Sequence, residues 1–284
     1  MKVDKALTHY LANHVETEVA HLNDLSLPHY QYCLVVPAHR ERLEDVNSVW
    51  IHKDPGLLII LVVNSWDPLD RVSTDLLTNL LFDASATSGN LSFVPRVAQP
   101  DLLVVDRCRP DQLIPRDRGV GLARKIGADL ALALISKGTI ETDWIHSTDA
   151  DVYLPPDYFD LPRLDIKDAA VIHSFQHRFS PKLELASRLY DIAMHYYVLG
   201  LRWAGSRNSH HSIGSTLSIS ARHYARVRGF PRRNAGEDFY LLNKLAKSGR
   251  VSTVGYFDVP SAQAGSVILI DARLSDRAPF GTGV

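Results

Sequence analysis

The chain has 284 residues, a length that suits one α/β domain or two smaller domains. Its 31 Lys and Arg residues nearly cancel its 32 Asp and Glu residues, which excludes a broadly basic nucleic-acid-binding protein. A hydrophobic content of 45% with 22% charged residues excludes a disordered chain and is enough for a large core.

The cysteines and the N-terminal segment narrow the class of protein further. Cys33 and Cys108 are too few for a disulfide framework or a four-thiolate zinc site, and we expect both to be buried free thiols. The N-terminal segment carries Asp4, Glu16 and Glu18 and has no continuous apolar core, so we expect no signal peptide. No apolar run reaches the roughly 20 residues that a membrane helix needs. We therefore expect a cytoplasmic protein without a transmembrane segment.

Short apolar runs alternate with helical stretches from about residue 32 onward. The clearest helix is predicted at 118–137, where apolar residues recur every four positions from Leu122 to Leu134 and Gly138 follows the last turn. The short runs are apolar on both faces, which favours a mostly parallel sheet with helices on each side. The predicted strands are 32–36, 57–63, 102–105, 143–146, 169–173, 216–220, 251–254 and 267–270, and the other predicted helices are 67–82, 182–201 and 237–247.

Polar residues follow each of the first four predicted strands. Ligands of open α/β sheets bind beyond the carboxyl ends of the strands, so we expect these polar clusters to converge on one edge of the sheet. The clusters are residues 37–41 (Pro-Ala-His-Arg-Glu), 64–67 (Asn-Ser-Trp-Asp), 106–107 (Asp-Arg) and 147–151 (Ser-Thr-Asp-Ala-Asp).

The sharpest motif is Asp149-Ala150-Asp151, which follows a predicted strand directly. Two carboxylates separated by one residue can coordinate the same cation. Carboxylate oxygens with open positions suit Mg²⁺ or Mn²⁺, which keep waters and share the phosphate oxygens of a substrate. The alternative is an ordinary turn, because Asp is common in turns and two prolines follow at 155 and 156.

A second acidic pair, Glu237 and Asp238, opens a predicted helix behind Gly236. A carboxylate at such a junction can take the proton from an attacking hydroxyl. The alternative is that both acids only complement the helix dipole, which favours negative charge in the first turn.

Several basic side chains are candidates for binding phosphate groups. Arg124 and Lys125 lie early in the predicted helix at 118–137 and can reach a diphosphate, or they are solvated charges. Arg273 and Arg277 lie four apart near the C-terminus and can fold over phosphates, or they are solvated as most arginines are.

The predicted helix at 182–201 and the residues after it are rich in aromatic side chains. Tyr196, Tyr197 and Trp203 can stack on a bound molecule and so shape one side of a site. The alternative is that they fill the core beside neighbouring leucines.

Taken together, four segments of the chain resemble the family-2 type of glycosyltransferase with the GT-A fold. The last two of these segments are specific to the family, and all four segments occur in the same order as in the family. They are CLVVPAHRE at 33–41, GVGLARKIGADLAL at 119–132, HSTDADVYLPPDYF at 146–159 and GSTLSISARHYARVRGFPRRNAGEDFYLLNKLAKSGRV at 214–251.

The resemblance implies a nucleotide-diphosphate-sugar donor, a divalent cation (Mn or Mg) at Asp149 and Asp151, and transfer of the sugar to a hydroxyl of a small-molecule or glycan acceptor. Asp238 would be the catalytic base of an inverting transfer, and Glu237 would help catalysis by ordering the acceptor. On the acceptor side, Tyr196, Tyr197 and Trp203 would stack on sugar faces. With the cations above, the predicted donor-binding residues are Pro37, Ala38, His39, Arg40, Glu41, Asn64, Asp106, Arg124, Lys125, Asp149, Arg273 and Arg277.

The chain departs from the family at two positions. The second strand of the family usually ends in an acid that holds the nucleoside, and Asn64 stands there in this chain. Many relatives also have a metal-binding His late in the chain, whereas the last one here is His223. The third metal ligand is then water, the diphosphate, His210 or His211, and of the protein residues we assign His211.

We therefore predict a metal-dependent glycosyltransferase, with retaining chemistry left open beside inversion. The alternatives are a sugar-1-phosphate nucleotidyltransferase and a non-catalytic nucleotide-sugar-binding module. The predicted organisation is an N-terminal helical extension at 1–31, a GT-A domain at 32–255 and a C-terminal loop segment at 256–284. Within the GT-A domain, we expect residues 32–151 to bind the nucleotide sugar and residues 152–255 to bind the acceptor.

Overall fold

The computed structural model describes residues 5–46, 56–161, 164–178, 184–206, 208–254 and 268–271. Its helices are α1 (Lys5–Asn13), α2 (Leu43–Val46), α3 (Arg71–Leu80), α4 (Gly119–Lys137), α5 (Glu184–Trp203), α6 (Ala221–Arg226) and α7 (Glu237–Ser248). Its strands are β1 (Tyr32–Ala38), β2 (Leu57–Asn64), β3 (Ala86–Ser88), β4 (Leu91–Val94), β5 (Asp101–Arg107), β6 (Trp144–Ser147), β7 (Val152–Tyr153), β8 (Asp168–His173), β9 (Phe175–Arg178), β10 (Leu217–Ser220), β11 (Arg250–Val254) and β12 (Ile268–Asp271).

A nine-stranded sheet forms the centre of the described structure, in the order β11-β8-β10-β6-β1-β2-β5-β4-β3. Strands β6, β1, β2 and β5 are parallel, while β10 runs antiparallel to both β6 and β8. Strands β7, β12 and β9 make a smaller sheet. The predicted α/β fold with a mostly parallel central sheet is confirmed.

The apolar runs form buried strands because both faces of the sheet are covered. Alternate residues of β1 point into two separate cores: Val35 packs with residues of α4, and Val36 packs with residues of α3. All eight residues of β2 are buried. This double coverage explains why these strands read as continuous apolar runs and not as alternating patterns.

Helix α4 packs against the central strands β1 and β2. Its residues from Gly121 to Leu134 are all buried, and Gly138 ends it in the left-handed region with φ of 75°. Gly127 allows close packing, because a Cβ there would lie 2.4 Å from Cγ1 of Val35. The prediction for this helix is therefore confirmed.

Other boundaries differ from the predicted ones for local reasons. Helix α3 begins at Arg71 and not at residue 67, since the Asp70 carboxylate caps it by accepting from the backbone N–H of Ser73. Strand β1 runs on through Pro37 and Ala38. Cys33 and Cys108 are free and buried as predicted, and burial raises the pKa of each thiol to about 12.

Within the described ranges, none of the helices has the length and apolar character needed to cross a membrane. The predicted boundary after residue 255 lies outside the described residues.

Candidate active site

The polar clusters after the parallel strands lie at one edge of the central sheet. Nδ1 of His39, after β1, lies 2.9 Å from the carbonyl oxygen of Asn64 at the end of β2. The backbone N–H of Ser65 donates to the carbonyl of Arg107 at the end of β5. The backbone N–H of Thr148, after β6, donates to the carbonyl of Val35 in β1. Parallel register thus brings these segments together, as the sequence predicted.

The Asp149-Ala150-Asp151 motif lies in the turn between β6 and β7. Ala150 is buried and anchors the turn in the core, while the Asp149 side chain is 37% exposed. Oδ1 of Asp149 accepts a hydrogen bond from Nη2 of Arg124 at 2.5 Å. One carboxylate of the motif is therefore fixed by a cation and still faces solvent.

Arg124 lies on α4 and is almost completely buried, with 2% of its surface exposed. Its Nε donates to Oε1 of Glu237 at 2.9 Å, and its Nη1 donates to Oγ of Ser147 at 2.9 Å. Burial alone would lower the pKa of Arg124, but the charges of Asp149 and Glu237 outweigh it and raise that pKa. The buried guanidinium therefore stays charged and joins the two acidic motifs.

Glu237 and Asp238 open α7 directly after Gly236, whose φ of 69° turns the chain into the helix. Glu237 is buried against Arg124. Asp238 is half-buried, and its pKa is raised to about 6 by burial and by the negative charges of Glu237 and Asp149. Asp238 is thus a carboxylate that exchanges a proton near neutral pH, as a general base must.

The burial of Glu237 changes the role predicted for it. The structure places its carboxylate on Arg124 inside the protein, so Glu237 positions that cation. This corrects the expectation that Glu237 orders the acceptor.

Lys125 does not belong to this site, which corrects the donor-binding role predicted for it. The next residue of a helix points about 100° away, so Lys125 faces the N-terminal elements and not Asp149. Its Nζ lies 2.7 Å from Oδ2 of Asp129, 2.7 Å from Oη of Tyr10 and 3.6 Å from Oε1 of Glu16. It is a structural cation of the core.

The predicted donor segment begins later than expected. Pro37 and Ala38 are buried strand residues, so only His39, Arg40 and Glu41 lie beyond β1. The backbone N–H of Arg40, whose φ is 56°, donates to Oγ of Ser73.

Two buried polar residues end the neighbouring strands at the same edge. Oδ1 of Asn64 is buried and has no hydrogen-bond partner among the described residues. The Asp106 carboxylate accepts from Nε of Arg109 at 2.7 Å and from the backbone N–H of Cys108 at 3.0 Å. The orphaned amide oxygen of Asn64 is therefore a hydrogen-bond acceptor still available to a ligand.

A cavity of about 440 Å³ lies beside the start of α7. Tyr197 and Phe239 are among the side chains that line it, and Phe239 is the residue after Asp238 in α7. Tyr196 and Trp203 are 77% and 94% exposed and do not line it. They lie on the exposed face of α5, away from this cavity, and the acceptor-binding role predicted for them stays a prediction.

His211 also lines this cavity and packs in a ring cluster, 5.2 Å from Phe175 and 4.8 Å from His195 between ring centroids. Burial lowers its pKa to about 4. In the described part of the chain, no three His, Cys, Asp or Glu side chains are grouped to hold a metal. The structure therefore gives no support to His211 as a ligand beside Asp149 and Asp151.

Asp149 and Asp151 suit a divalent cation that needs only one or two protein ligands. Mg²⁺ is usually bound by one or two carboxylates together with waters and substrate phosphates, not by an all-protein cage. Asp149 and Asp151 provide such a partial set. The predicted residues Arg273 and Arg277 lie outside the described residues.

Sequence reasoning missed Gly214, which precedes β10. A Cβ at this position would lie 2.6 Å from Nη2 of Arg124, so the guanidinium occupies space that only glycine leaves open. Nothing in the local sequence indicates this contact, because it depends on where α4 lies.

No protein-family model matches the sequence, and no curated protein matches it. Among solved structures, the chain is similar to S. aureus TarS 1–349, at 12% identity with a TM-score of 0.43 over 85% of this chain and 60% of that chain. The same TarS segment in complex with UDP-GlcNAc matches at 13% identity and a TM-score of 0.46, over 87% of this chain and 60% of that chain.

The chain is also similar to the mannosyltransferase PcManGT from Pyrobaculum calidifontis in complex with GDP-Man and Mn²⁺. That match has 15% identity and a TM-score of 0.45, over 96% of this chain and 66% of that chain. The chain thus spans about three fifths of the TarS structures and 66% of PcManGT.

Proposed function

We propose that this chain transfers a sugar from a nucleotide-diphosphate-sugar donor to a hydroxyl acceptor, with inversion and with the help of Mn or Mg. The observation that carries the proposal is the contact of Arg124 with both Asp149 and Glu237. It brings a D-x-D motif after a parallel strand and an acidic pair at a helix start to one edge of the sheet.

The residues at the ends of the parallel strands would bind the donor. Asn64 offers a buried acceptor that has no partner in the described part of the chain, at the edge where Arg40 is exposed. When bound, a divalent cation shared by Asp149, Asp151 and the diphosphate would neutralise the charge that builds on the leaving group. Arg124 holds Asp149 in place for this purpose, so it supports the diphosphate through that carboxylate and not by direct contact.

The acceptor side is provided by Asp238 and the adjoining cavity. The acceptor oxygen attacks the anomeric carbon from the face opposite the diphosphate. A new carbon–oxygen bond forms there, the bond to the diphosphate breaks, and the hydroxyl proton passes to the Asp238 carboxylate. Tyr197 and Phe239 line the cavity near the start of α7, and their rings suit a sugar face of a glycan or small-molecule acceptor.

The proposal is tested by thermal unfolding with a panel of nucleotide sugars, with and without MnCl₂. A donor that binds only the native state raises its stability by about 2.7 kcal/mol at a hundred times its Kd. We expect one donor class to stabilise the chain only when the metal is present. The double variant Asp149→Asn/Asp151→Asn should lose this effect, whereas Asp75→Asn, an exposed acid on α3, should keep it.

Two results would overturn the proposal. One is a panel in which no nucleotide sugar changes the unfolding temperature under either condition. The other is release of pyrophosphate from a nucleoside triphosphate and a sugar 1-phosphate, which is the reaction of a nucleotidyltransferase. A cytoplasmic location remains a prediction from the sequence.

A further inference from the structure

Helix α5 contacts the rest of the described structure through one face only. On that face Val198 is buried, Met194 is partly buried, and Asp191 pairs with Nδ1 of His177 at 2.5 Å. On the opposite face, six large apolar side chains are between 57% and 94% exposed. They are Leu185, Leu189, Ile192, Tyr196, Leu199 and Trp203.

The spacing of these six residues is that of a coiled-coil seam. They follow one another at intervals of 4, 3, 4, 3 and 4 residues, so Leu185, Ile192 and Leu199 recur every seven positions, and so do Leu189, Tyr196 and Trp203. Two positions in every seven is the heptad repeat, which has a period of about 3.5. A helix that only rests on a globular core shows a wider stripe with a period of about 3.6. We call the six residues the α5 seam. Its seven-residue repeat matches a second helix lying alongside.

Small residues border one side of the α5 seam. Ala186, Ala193 and Gly200 recur at every seventh position, and all three are exposed. Small side chains let two helix backbones approach closely. The other side of the seam is basic, with Arg188 and Arg202 exposed. An apolar face bordered by Arg also suits a membrane surface, so binding to lipid vesicles is tested beside self-association.

From these features we propose that the α5 seam binds the α5 seam of a second copy of this chain, with the two helices antiparallel. When a two-fold axis near Met194 relates the two copies, Ile192 packs against Tyr196 of the other copy. Leu189 then meets Leu199, and Leu185 meets Trp203. The small border residues also match, since Ala193 meets Ala193 and Ala186 meets Gly200. A parallel pair would place these small residues against the basic border on the other side of the seam.

The seam has enough apolar surface for a dimer. Two exposed aromatic and four exposed aliphatic side chains can bury about 600 Å² on each copy. The total of about 1,200 Å² reaches the lower end of stable, specific interfaces. A contact of this size is expected to dissociate reversibly, so the oligomeric state should depend on concentration.

The first test is sedimentation velocity over a hundredfold range of concentration. We expect a reversible monomer–dimer equilibrium for the unchanged chain. Leu189→Glu and Leu199→Glu should each raise the dimer Kd by at least a hundredfold, because each puts a charge into an apolar layer. Both positions are exposed in the single copy, so the fold should persist. Phe82→Glu, at an 87% exposed residue elsewhere, is the matched control and should leave the equilibrium unchanged.

The second test fixes the orientation by disulfide cross-linking. Ala193→Cys should cross-link two copies under mild oxidation, whereas Leu185→Cys should not, because it faces Trp203 of the other copy. Cys33 and Cys108 are buried and do not compete. Cross-linking through Leu185→Cys alone would overturn the antiparallel arrangement. A chain that stays monomeric at every concentration, or that binds lipid vesicles instead of itself, would overturn the proposal.

Discussion

Nε of Arg124 lies 2.9 Å from Oε1 of Glu237, and both side chains are buried. This ion pair joins α4 to the first turn of α7, while the same guanidinium holds Asp149 in the turn after β6. A buried charge without its partner is strongly destabilising. The positions of the D-x-D motif and of Asp238 therefore depend on one arginine.

We predict that Arg124→Met lowers the free energy of unfolding by about 3 to 5 kcal/mol, because Glu237 is left buried without a counter-charge. The double variant Arg124→Met/Glu237→Gln should recover much of this loss in stability but not the transfer activity, since Asp149 remains without its partner. Denaturant unfolding and initial-rate measurements separate the two effects. Arg42→Met, at an exposed surface ion pair, should change stability by no more than about 0.5 kcal/mol.

A second prediction uses the space beside the same guanidinium. Gly214→Ala places a Cβ 2.6 Å from Nη2 of Arg124, the movable end of a side chain, so the fold should persist while Arg124 shifts. Since the charge of Arg124 lowers the pKa of Asp238, the pH profile of the Gly214→Ala variant should move to higher pH. Gly121→Ala is the contrast, because its Cβ would lie 2.4 Å from the backbone oxygen of Arg233 and should cost stability. An unchanged pH profile in Gly214→Ala would count against this role for Arg124.

A third prediction concerns the pKa of Asp238, which burial and nearby negative charges raise to about 6. A general base acts when deprotonated, so kcat/KM should rise with pH through about 6 and then level off. Asp238→Asn should lower turnover by about a hundredfold or more and remove this rise. Donor binding should survive, as measured by thermal shift. Activity that remains in Asp238→Asn would exclude Asp238 as the base.

The same substitution should change stability with a defined sign. A carboxyl whose pKa is higher in the folded than in the unfolded state stabilises the fold when protonated, and this contribution is lost as pH rises through the folded pKa. At pH 7.5 the charged Asp238 is therefore unfavourable, and Asp238→Asn should be more stable by about 1 kcal/mol. Below about pH 3 the difference should vanish, because Asp238 is then neutral in both the folded and the unfolded state.

The sequence was informative where local pattern decides the structure. The two-sided apolar runs predicted the parallel strands β1, β2 and β5, and the four-residue period predicted α4. The hairpin of β3 and β4 was missed, because Thr87 and Ser92 give it no apolar run and the turn at Gly89 and Asn90 is its main local signal.

The sequence was less informative where a role depends on partners distant in the chain. Arg124 and Lys125 are adjacent and carry the same charge, so no local pattern separates them. Their roles differ because a helix turns by about 100° per residue, which directs one toward Glu237 and the other toward Asp129. The same rotation separates Tyr197, at the cavity, from Tyr196, on the outer face of α5.

The last prediction tests whether Lys125 has a structural role, in contrast to its neighbour Arg124. Its ammonium donates to Asp129, which is completely buried and also accepts hydrogen bonds from the hydroxyls of Tyr10 and Tyr224. Lys125→Met should lower the free energy of unfolding by about 3 to 5 kcal/mol, because it leaves the Asp129 carboxylate without a cation. Lys125→Met/Asp129→Asn should recover part of that loss, since it removes the unpaired charge.

Donor affinity distinguishes this structural role from a binding role. Titration calorimetry at a temperature where Lys125→Met is still folded should give a donor Kd close to that of the unchanged chain. A variant with ordinary stability and a donor Kd raised tenfold or more would instead place Lys125 at the diphosphate. The double variant makes the result decisive, because it recovers stability without restoring the ammonium group. Any loss of donor binding that persists in it belongs to Lys125 itself.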